Sequence, residues 1–322
     1  MKKPLTLLVY VSLMLAATFV NAQQPKTDYL FPVLKDDKWG YISSSGKLAI
    51  PAQYEWAQDF SDGLAWVWAN DQMMVIDYSG KPVLTYEQKH FACVGFFSEG
   101  LAPVCINDRR GFIDRTGKMI ISPQFDYAYS FLEGLAPVLV GEKWGFINHS
   151  GEFVIPAQFD NAERFSEGLA PVSLGSKWGF IDRTGKLIIE PQFERAMRFQ
   201  EGLAPVNVFN PGDEDHIAGA DSEWGYINKT GRMIIAPNYS FPAGFSEGLA
   251  AVRVNGEKYG FIDTKGRMRI KPKFDNAYSF SHGLARVTYT VFFNTPTGSG
   301  VNFNGKVGYI NKTGKFVWKP ES

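Results

Sequence analysis

Residues 177–189 read Lys-Trp-Gly-Phe-Ile-Asp-Arg-Thr-Gly-Lys-Leu-Ile-Ile: an apolar run, a polar turn and a second apolar run. Trp178-Gly179-Phe180-Ile181 is short and bounded, which suits a strand better than a helix. Asp182 can close a turn through its own carboxylate, and Gly185 supplies the positive φ that ends a short hairpin loop. Leu187-Ile188-Ile189 is a β-branched run. Pro191 stops it, because proline cannot donate to a central ladder.

The same pattern returns along the chain. Trp39-Gly40-Tyr41-Ile42, Trp144-Gly145-Phe146-Ile147 and Trp224-Gly225-Tyr226-Ile227 are close copies, and looser ones begin at Met73, Arg110, Tyr259 and Val307. The starts are 34, 37, 34, 34, 46, 35 and 48 residues apart, so a basic period of about 34 carries insertions after the fifth and seventh units. Asp or Asn follows the Ile in seven copies, and Gly comes three residues later in all eight. A further run, Gly-Leu-Ala-Pro-Val, precedes the Trp motif at Gly100, Gly134, Gly168 and Gly202, with variants at Gly63, Gly248 and Gly283. Leu30-Phe31-Pro32-Val33 serves the first unit, and the last unit ends near Pro320. Connectors such as residues 158–168 read as irregular crossovers pinned to the core by their phenylalanines.

These features predict an all-β tandem repeat of eight three-stranded units of about 34 residues. Thirty-four residues are few for a four-stranded propeller blade, so strand counting favours an open or superhelical β array. The alternative is a closed β-propeller-like ring, which would protect the terminal sheet edges. Residues that recur in every unit are expected to pack. The motif Trp should stack between units, together with the connector phenylalanines at 60, 97, 131, 165, 199, 245 and 280. Glu99, Glu133, Glu167, Glu201 and Glu247 precede the strand-opening Gly. Two carboxylates could serve as general acid and base for glycoside cleavage, but a catalytic pair should occur once, so these read as turn-closing or surface groups.

Lys-Trp-Gly-Phe-Ile-Asp-x-x-Gly-Lys and Phe-Ser-Glu-Gly-Leu-Ala-Pro-Val, recurring in order, resemble the WG-repeat (WG β-repeat, or KWG repeat) family over residues 30–320. Met73-Met74 departs most from the pattern. The resemblance implies a repeat scaffold that mediates binding and carries no established catalytic residues.

Lys plus Arg total 33, as do Asp plus Glu, so no global field attracts nucleic acid. With 45% hydrophobic residues, the chain has material for a packed core. Lys2 and Lys3, the apolar stretch 5–20, and Val20 and Ala22 at the peptidase-reading positions form a signal peptide, residues 1–22. A short linker, 23–29, leads into the repeat domain, 30–320. The mature chain is expected in the periplasm or outside the cell, with no membrane span.

The unrepeated residues remain. Cys93 and Cys105 align with Trp56 and Trp68 of the first unit, and the two positions mostly match in character from unit to unit. This makes them neighbours and, in an oxidising compartment, disulfide partners. Two buried thiols are the alternative. The acidic insertion 207–223 lacks the spacing of a Ca²⁺ loop, and no metal or cofactor is assigned. The insertion 288–306 reads as an extended hairpin with an apolar tip at Val291, Phe292 and Phe293, which suits a partner. No phosphate loop, nucleophile elbow or zinc-protease motif occurs, and no catalytic residue is named. The expected function is an exported non-enzymatic scaffold binding a protein or glycan at the cell envelope. An envelope glycan-active enzyme and a self-associating structural surface protein are the alternatives.

Overall fold

A computed structural model describes residues 28–86, 94–208, 223–254, 257–295 and 298–319. Within them every unit folds as one antiparallel sheet, and the eight sheets stand in a ring, a β-propeller. In the fifth sheet the strands are Asn161–Ala162, Ala170–Leu174, Lys177–Ile181 and Leu187–Phe193, side by side in chain order. Six sheets have four such strands, while the first and third have three among the described residues.

The fourth strand corrects the reading of the connector as an irregular crossover. In Ser166-Glu167-Gly168-Leu169, Glu167 (φ 55°) and Gly168 (φ 83°) are both left-handed, the signature of a tight two-residue hairpin turn. The Ser166 N–H donates to the Leu169 carbonyl at 2.9 Å, and the Leu169 N–H donates back at 3.3 Å. The turn folds the connector against the Ala170–Leu174 strand, and a two-residue turn is what lets four strands fit in 34 residues.

The connector strands lie on the inner side of the ring, where neighbouring units come within hydrogen-bonding reach. The Ser130 hydroxyl donates to the Phe96 carbonyl at 2.7 Å, and that of Ser246 donates to Phe280 at 2.6 Å. The strand after each turn lies outermost. It alternates buried and open residues, and Ile188 is 46% exposed.

The core is not inside a sheet but between sheets. Leu135, Phe146, Ile155 and Phe159 of the fourth sheet meet Ala162, Phe165, Ala170, Val172 and Ile181 of the fifth. Equivalent sets fill every other junction. An eighth set joins the last sheet to the first, through Phe31, Val33, Ile42, Leu284 and Tyr309. There the Tyr309 hydroxyl donates to the Pro32 carbonyl at 2.8 Å. Eight sheets with eight junctions make a closed ring, so the open array favoured by strand counting gives way to its alternative.

One ring pair recurs at the junctions. The aromatic residue two places after the motif Trp meets the connector Phe of the next unit: Tyr41–Phe60 at 4.8 Å, Phe112–Phe131 at 4.9 Å, Phe146–Phe165 at 4.9 Å and Phe180–Phe199 at 4.8 Å. Tyr226–Phe245 at 4.9 Å and Phe261–Phe280 at 5.0 Å continue the series. These rings, rather than the motif tryptophans, are the deepest. Trp39, Trp144 and Trp178 are half-buried at the margins of the junctions, and Trp224 is buried.

The glycine after the motif Trp answers to a close approach. A Cβ on Gly179 would lie 2.4 Å from the Ile189 oxygen and 2.8 Å from the Pro191 nitrogen. The outer strand bulges there, pairing Trp178 with Phe193 but Phe180 with Ile189. The second sheet has Met74 at this place and no bulge beside it: Met73, Met74 and Val75 pair regularly with Tyr86, Thr85 and Leu84. That sheet also exchanges volumes across one strand pair. Pro171 faces Phe180 in the fifth sheet, whereas Trp66 faces Val75 in the second. Trp66 then supplies the junction ring, stacking on Phe97 at 5.8 Å.

Phe180→Ala should lower stability by about 3–5 kcal/mol, the usual cost of emptying a buried ring site. Ile188→Ala, on the outer face, should stay within about 1 kcal/mol. Urea unfolding of both variants checks this, and similar losses would remove Phe180 from the role given it.

Candidate functional site

The ring has two rims of different chemistry. One carries the Ser-Glu-Gly-Leu turns and the Asp-x-x-Gly turns. There each connector carboxylate reaches the next unit and accepts the N–H of its turn glycine. Gly100 donates to Asp62 at 2.8 Å, Gly134 to Glu99 at 3.0 Å, and Gly168 to Glu133 at 3.0 Å. Gly202 donates to Glu167 at 3.1 Å, Gly248 to Glu201 at 3.0 Å and Gly283 to Glu247 at 3.0 Å. Most of these carboxylates also meet a cation from the next unit's turn, as in Arg115–Asp62 at 3.1 Å, Lys229–Glu167 at 3.1 Å and Lys312–Glu247 at 3.0 Å. His149 takes that place beside Glu99 at 3.1 Å and stacks on Phe131. The recurring glutamates thus link unit to unit.

The neighbouring turns are held from within. Asp182 Oδ1 accepts from the Thr184 N–H at 2.9 Å, the Thr184 hydroxyl at 2.6 Å and the Lys186 N–H at 3.1 Å. Asn228 and Asn311 make the same three bonds. The threonine hydroxyls hold Asp114 and Asp182 below the usual carboxylate range, and the Arg267 guanidinium brings Asp263 down to about 2.

The opposite rim is where the units differ. In the first five units the hairpin before the motif Trp closes at once, as where Leu174 pairs with Lys177. In the eighth sheet it runs on, through strands Leu284–Thr295 and Gly298–Asn311. Tyr289↔Lys306 corresponds to Leu174↔Lys177, and pairing continues to Thr295↔Gly298. Six further residues at about 3.3 Å each carry the hairpin about 20 Å past its neighbours. Val291, Phe292 and Phe293 lie on this extension, opposite Asn302, Val301 and Gly300. Their side chains fall outside what the structure describes. The insertion after Asn207 leaves the same rim, and its residues 209–222 also lie outside the described residues.

The first residue of each inner strand completes this rim. It pairs directly across to the next strand: Trp56↔Trp68, Tyr127↔Leu139, Asn161↔Ser173, Arg195↔Asn207 and Phe241↔Arg253. Three of these positions show open rings, with Phe241 50%, Trp56 39% and Tyr127 37% exposed. Arg110, which replaces the motif Trp of the third unit, lies over Tyr127 at 4.1 Å, and Tyr127 also meets Trp144 at 5.8 Å. In the third unit the corresponding positions are Cys93 and Cys105. Val94 bridges Val104 as Ala57 pairs with Val67. Cys105 is disulfide-bonded, while Cys93, the chain's other cysteine, lies outside the described residues.

Comparison with known proteins places the repeat. The profile of the WG containing repeat matches residues 39–68, 73–109, 111–144, 144–178, 178–208, 224–257 and 259–289. No curated protein matches the chain by sequence. Among solved structures, one described as a eukaryotic initiation factor is similar at 11% identity over 90% of this chain and 95% of its own, with a TM-score of 0.56. BamB from Moraxella catarrhalis is similar at 9% identity over 80% and 92%, with a TM-score of 0.48. Hsv2p of Kluyveromyces lactis follows at 9% identity over 76% and 96%, also at 0.48. At such identities the likeness concerns the fold.

Two expectations follow. A carboxylate depressed in the folded state stabilises above its unfolded pKa of about 3.9, and that contribution is lost as pH falls through the folded value. A variant with Asp114→Asn, Asp182→Asn and Asp263→Asn keeps an acceptor in each turn but removes its titration. It should lose less stability than the parent between about pH 6 and pH 2, as followed by far-UV circular dichroism. For the cysteines, non-reducing peptide mapping should recover the Cys93 and Cys105 peptides joined. Replacing both by alanine should cost roughly 2–3 kcal/mol, the scale for so short a loop.

Proposed function

The chain belongs to the WG containing repeat family, and on that premise we propose that it is an exported, non-enzymatic scaffold that binds a protein partner at the cell envelope. The long hairpin of the eighth sheet carries this reading. Among the described residues it rises above the rim's other hairpins, which close in two residues, as at Leu174 and Lys177, or three, as at Val254 and Lys258. A paired ribbon of that reach offers backbone edges to a second protein, and Val291, Phe292 and Phe293 are apolar positions along it. The closed ring beneath holds it on a fixed base, the general advantage of repeat scaffolds.

Export is supported by the signal-peptide pattern of residues 1–22 and by the bonded state of Cys105, since disulfides persist in oxidising compartments. Among the described residues no helix is long and apolar enough to cross a membrane. A glycan is the second reading, favoured by the open rings of Trp56, Tyr127 and Phe241 on the same rim.

Residues 23–322, used as bait in an envelope extract of the native host, should retain a specific protein. A second bait, with 290–305 replaced by an Asn-Gly turn between Tyr289 and Lys306, should not retain it. Retention by both baits would move the contact to the rest of the rim. An empty result with a folded bait would count against the scaffold reading.

A further inference from the structure

At the seam of the ring, where the last, first and second units meet, a cavity of about 230 Å³ opens among Tyr29, Phe31, Asp59, Tyr278, Arg286 and Tyr309, with Ser279, Ser281 and Leu284 completing the wall. It lies at the foot of the long hairpin, since Arg286 and Tyr309 belong to its two strands. The wall is not a repeat feature. Asp59 and Arg286 have no like-charged counterparts in the fifth unit, where Arg164 and Pro171 hold the corresponding places.

Asp59 is half-buried, and its carboxylate accepts no hydrogen bond from any described residue. The hydroxyls nearest to it spend their protons elsewhere. Tyr29 donates to the Phe60 carbonyl at 2.7 Å, Tyr41 to Gln58 at 2.8 Å and Tyr309 to Pro32 at 2.8 Å. Ser281 is engaged with His282 Nδ1 at 2.9 Å, and Ser279 faces the Gly244 carbonyl at 3.5 Å. Burial pushes the Asp59 carboxyl up, and the charge of Arg286 partly opposes that shift. Arg286 lies over the Tyr278 ring at 4.0 Å. Among the described residues it makes no ion pair with Asp59 or any other carboxylate. Among the described residues, two opposite charges thus face one cavity with no direct hydrogen bond or ion pair between them. A partly desolvated charge with no direct hydrogen-bonded counter-ion costs free energy that a complementary ligand can recover.

We propose that this cavity binds a small zwitterion of the α-amino-acid class, its ammonium held by Asp59 and its carboxylate by Arg286. The ammonium would sit beside the rings of Tyr29 and Tyr309 that line the cavity with Asp59. A guanidinium takes a carboxylate through parallel N–H donors. At about 230 Å³ the space falls below the roughly 300–1,000 Å³ of drug-sized sites, which confines the ligand to a few heavy atoms. A neutral sugar would fit the rings but bring no counter-charge to either group. The site goes beyond the partner-binding reading and does not depend on it.

The test uses residues 23–322 and the twenty protein amino acids as probes, followed by isothermal titration and saturation-transfer NMR. At least one should bind saturably. Its decarboxylated amine and its deaminated acid should each bind at least tenfold more weakly, a comparison made on the unaltered protein. Asp59→Asn and Arg286→Gln should each weaken the amino acid by a similar factor. Absence of saturable binding by all twenty, or equal binding of the three analogues, would overturn the proposal.

Discussion

The structure depends on one contact, the pair of aromatic rings between neighbouring sheets. One ring comes from the motif strand of a unit and the other from the connector of the next, just after its inner strand, with centroids 4.8–5.0 Å apart in the six regular junctions. Such a pair contributes about 0.5–1.5 kcal/mol beyond the apolar area it buries. Its geometry also fixes how one sheet leans on the next. Where the repeat fails to supply a ring, another position does. Trp66 stands in where Val75 is too small, and Phe31 meets Tyr309 at 5.2 Å across the seam, where the first unit has an extra ring in place of the usual alanine. The pair is kept although the residues that make it change.

The two rims follow from that arrangement. On the turn rim, each carboxylate-to-amide link joins a unit to its neighbour, so residues there answer to the ring. On the hairpin rim the units meet through individual side chains, as where Arg110 of the third unit lies over Tyr127 of the fourth, and not through a repeated amide link. Insertions, the disulfide of Cys105 and unlike aromatic residues collect there because nothing in the packing forbids them. At the seam the turn rim departs from the repeat: His282 stands where the third to seventh units have Glu and the second has Asp62, and it stacks on Tyr29 at 4.0 Å instead of accepting a glycine N–H through a carboxylate.

Much of the unit was legible in the sequence because its causes are local. Gly185 and its counterparts require positive φ, Asp182 carries its own turn acceptor, and Pro191 ends a run. The pairing of positions 56 with 68 and 127 with 139 follows from their fixed distances around one hairpin. The fourth strand was missed because its turn is Glu-Gly. Glutamate seldom adopts left-handed φ, and here it does so while its carboxylate is bound to the next unit. That stabilising partner lies 34 to 47 residues away in the chain. The motif tryptophans drew attention from the smaller rings beside them, whose depth only the packing reveals.

By itself, the sequence determined the repeating unit, three of its four strands and the Asp-x-x-Gly turns, since each rests on the conformational needs of a few adjacent residues. Ring closure, the division of labour between the rims and the convergence of Asp59 with Arg286 were decided by tertiary structure alone. Closure is the sum of eight inter-sheet angles, and no single unit contains that sum. Asp59 and Arg286 come from the second and eighth units, and they share a cavity only because the ring brings its two ends together.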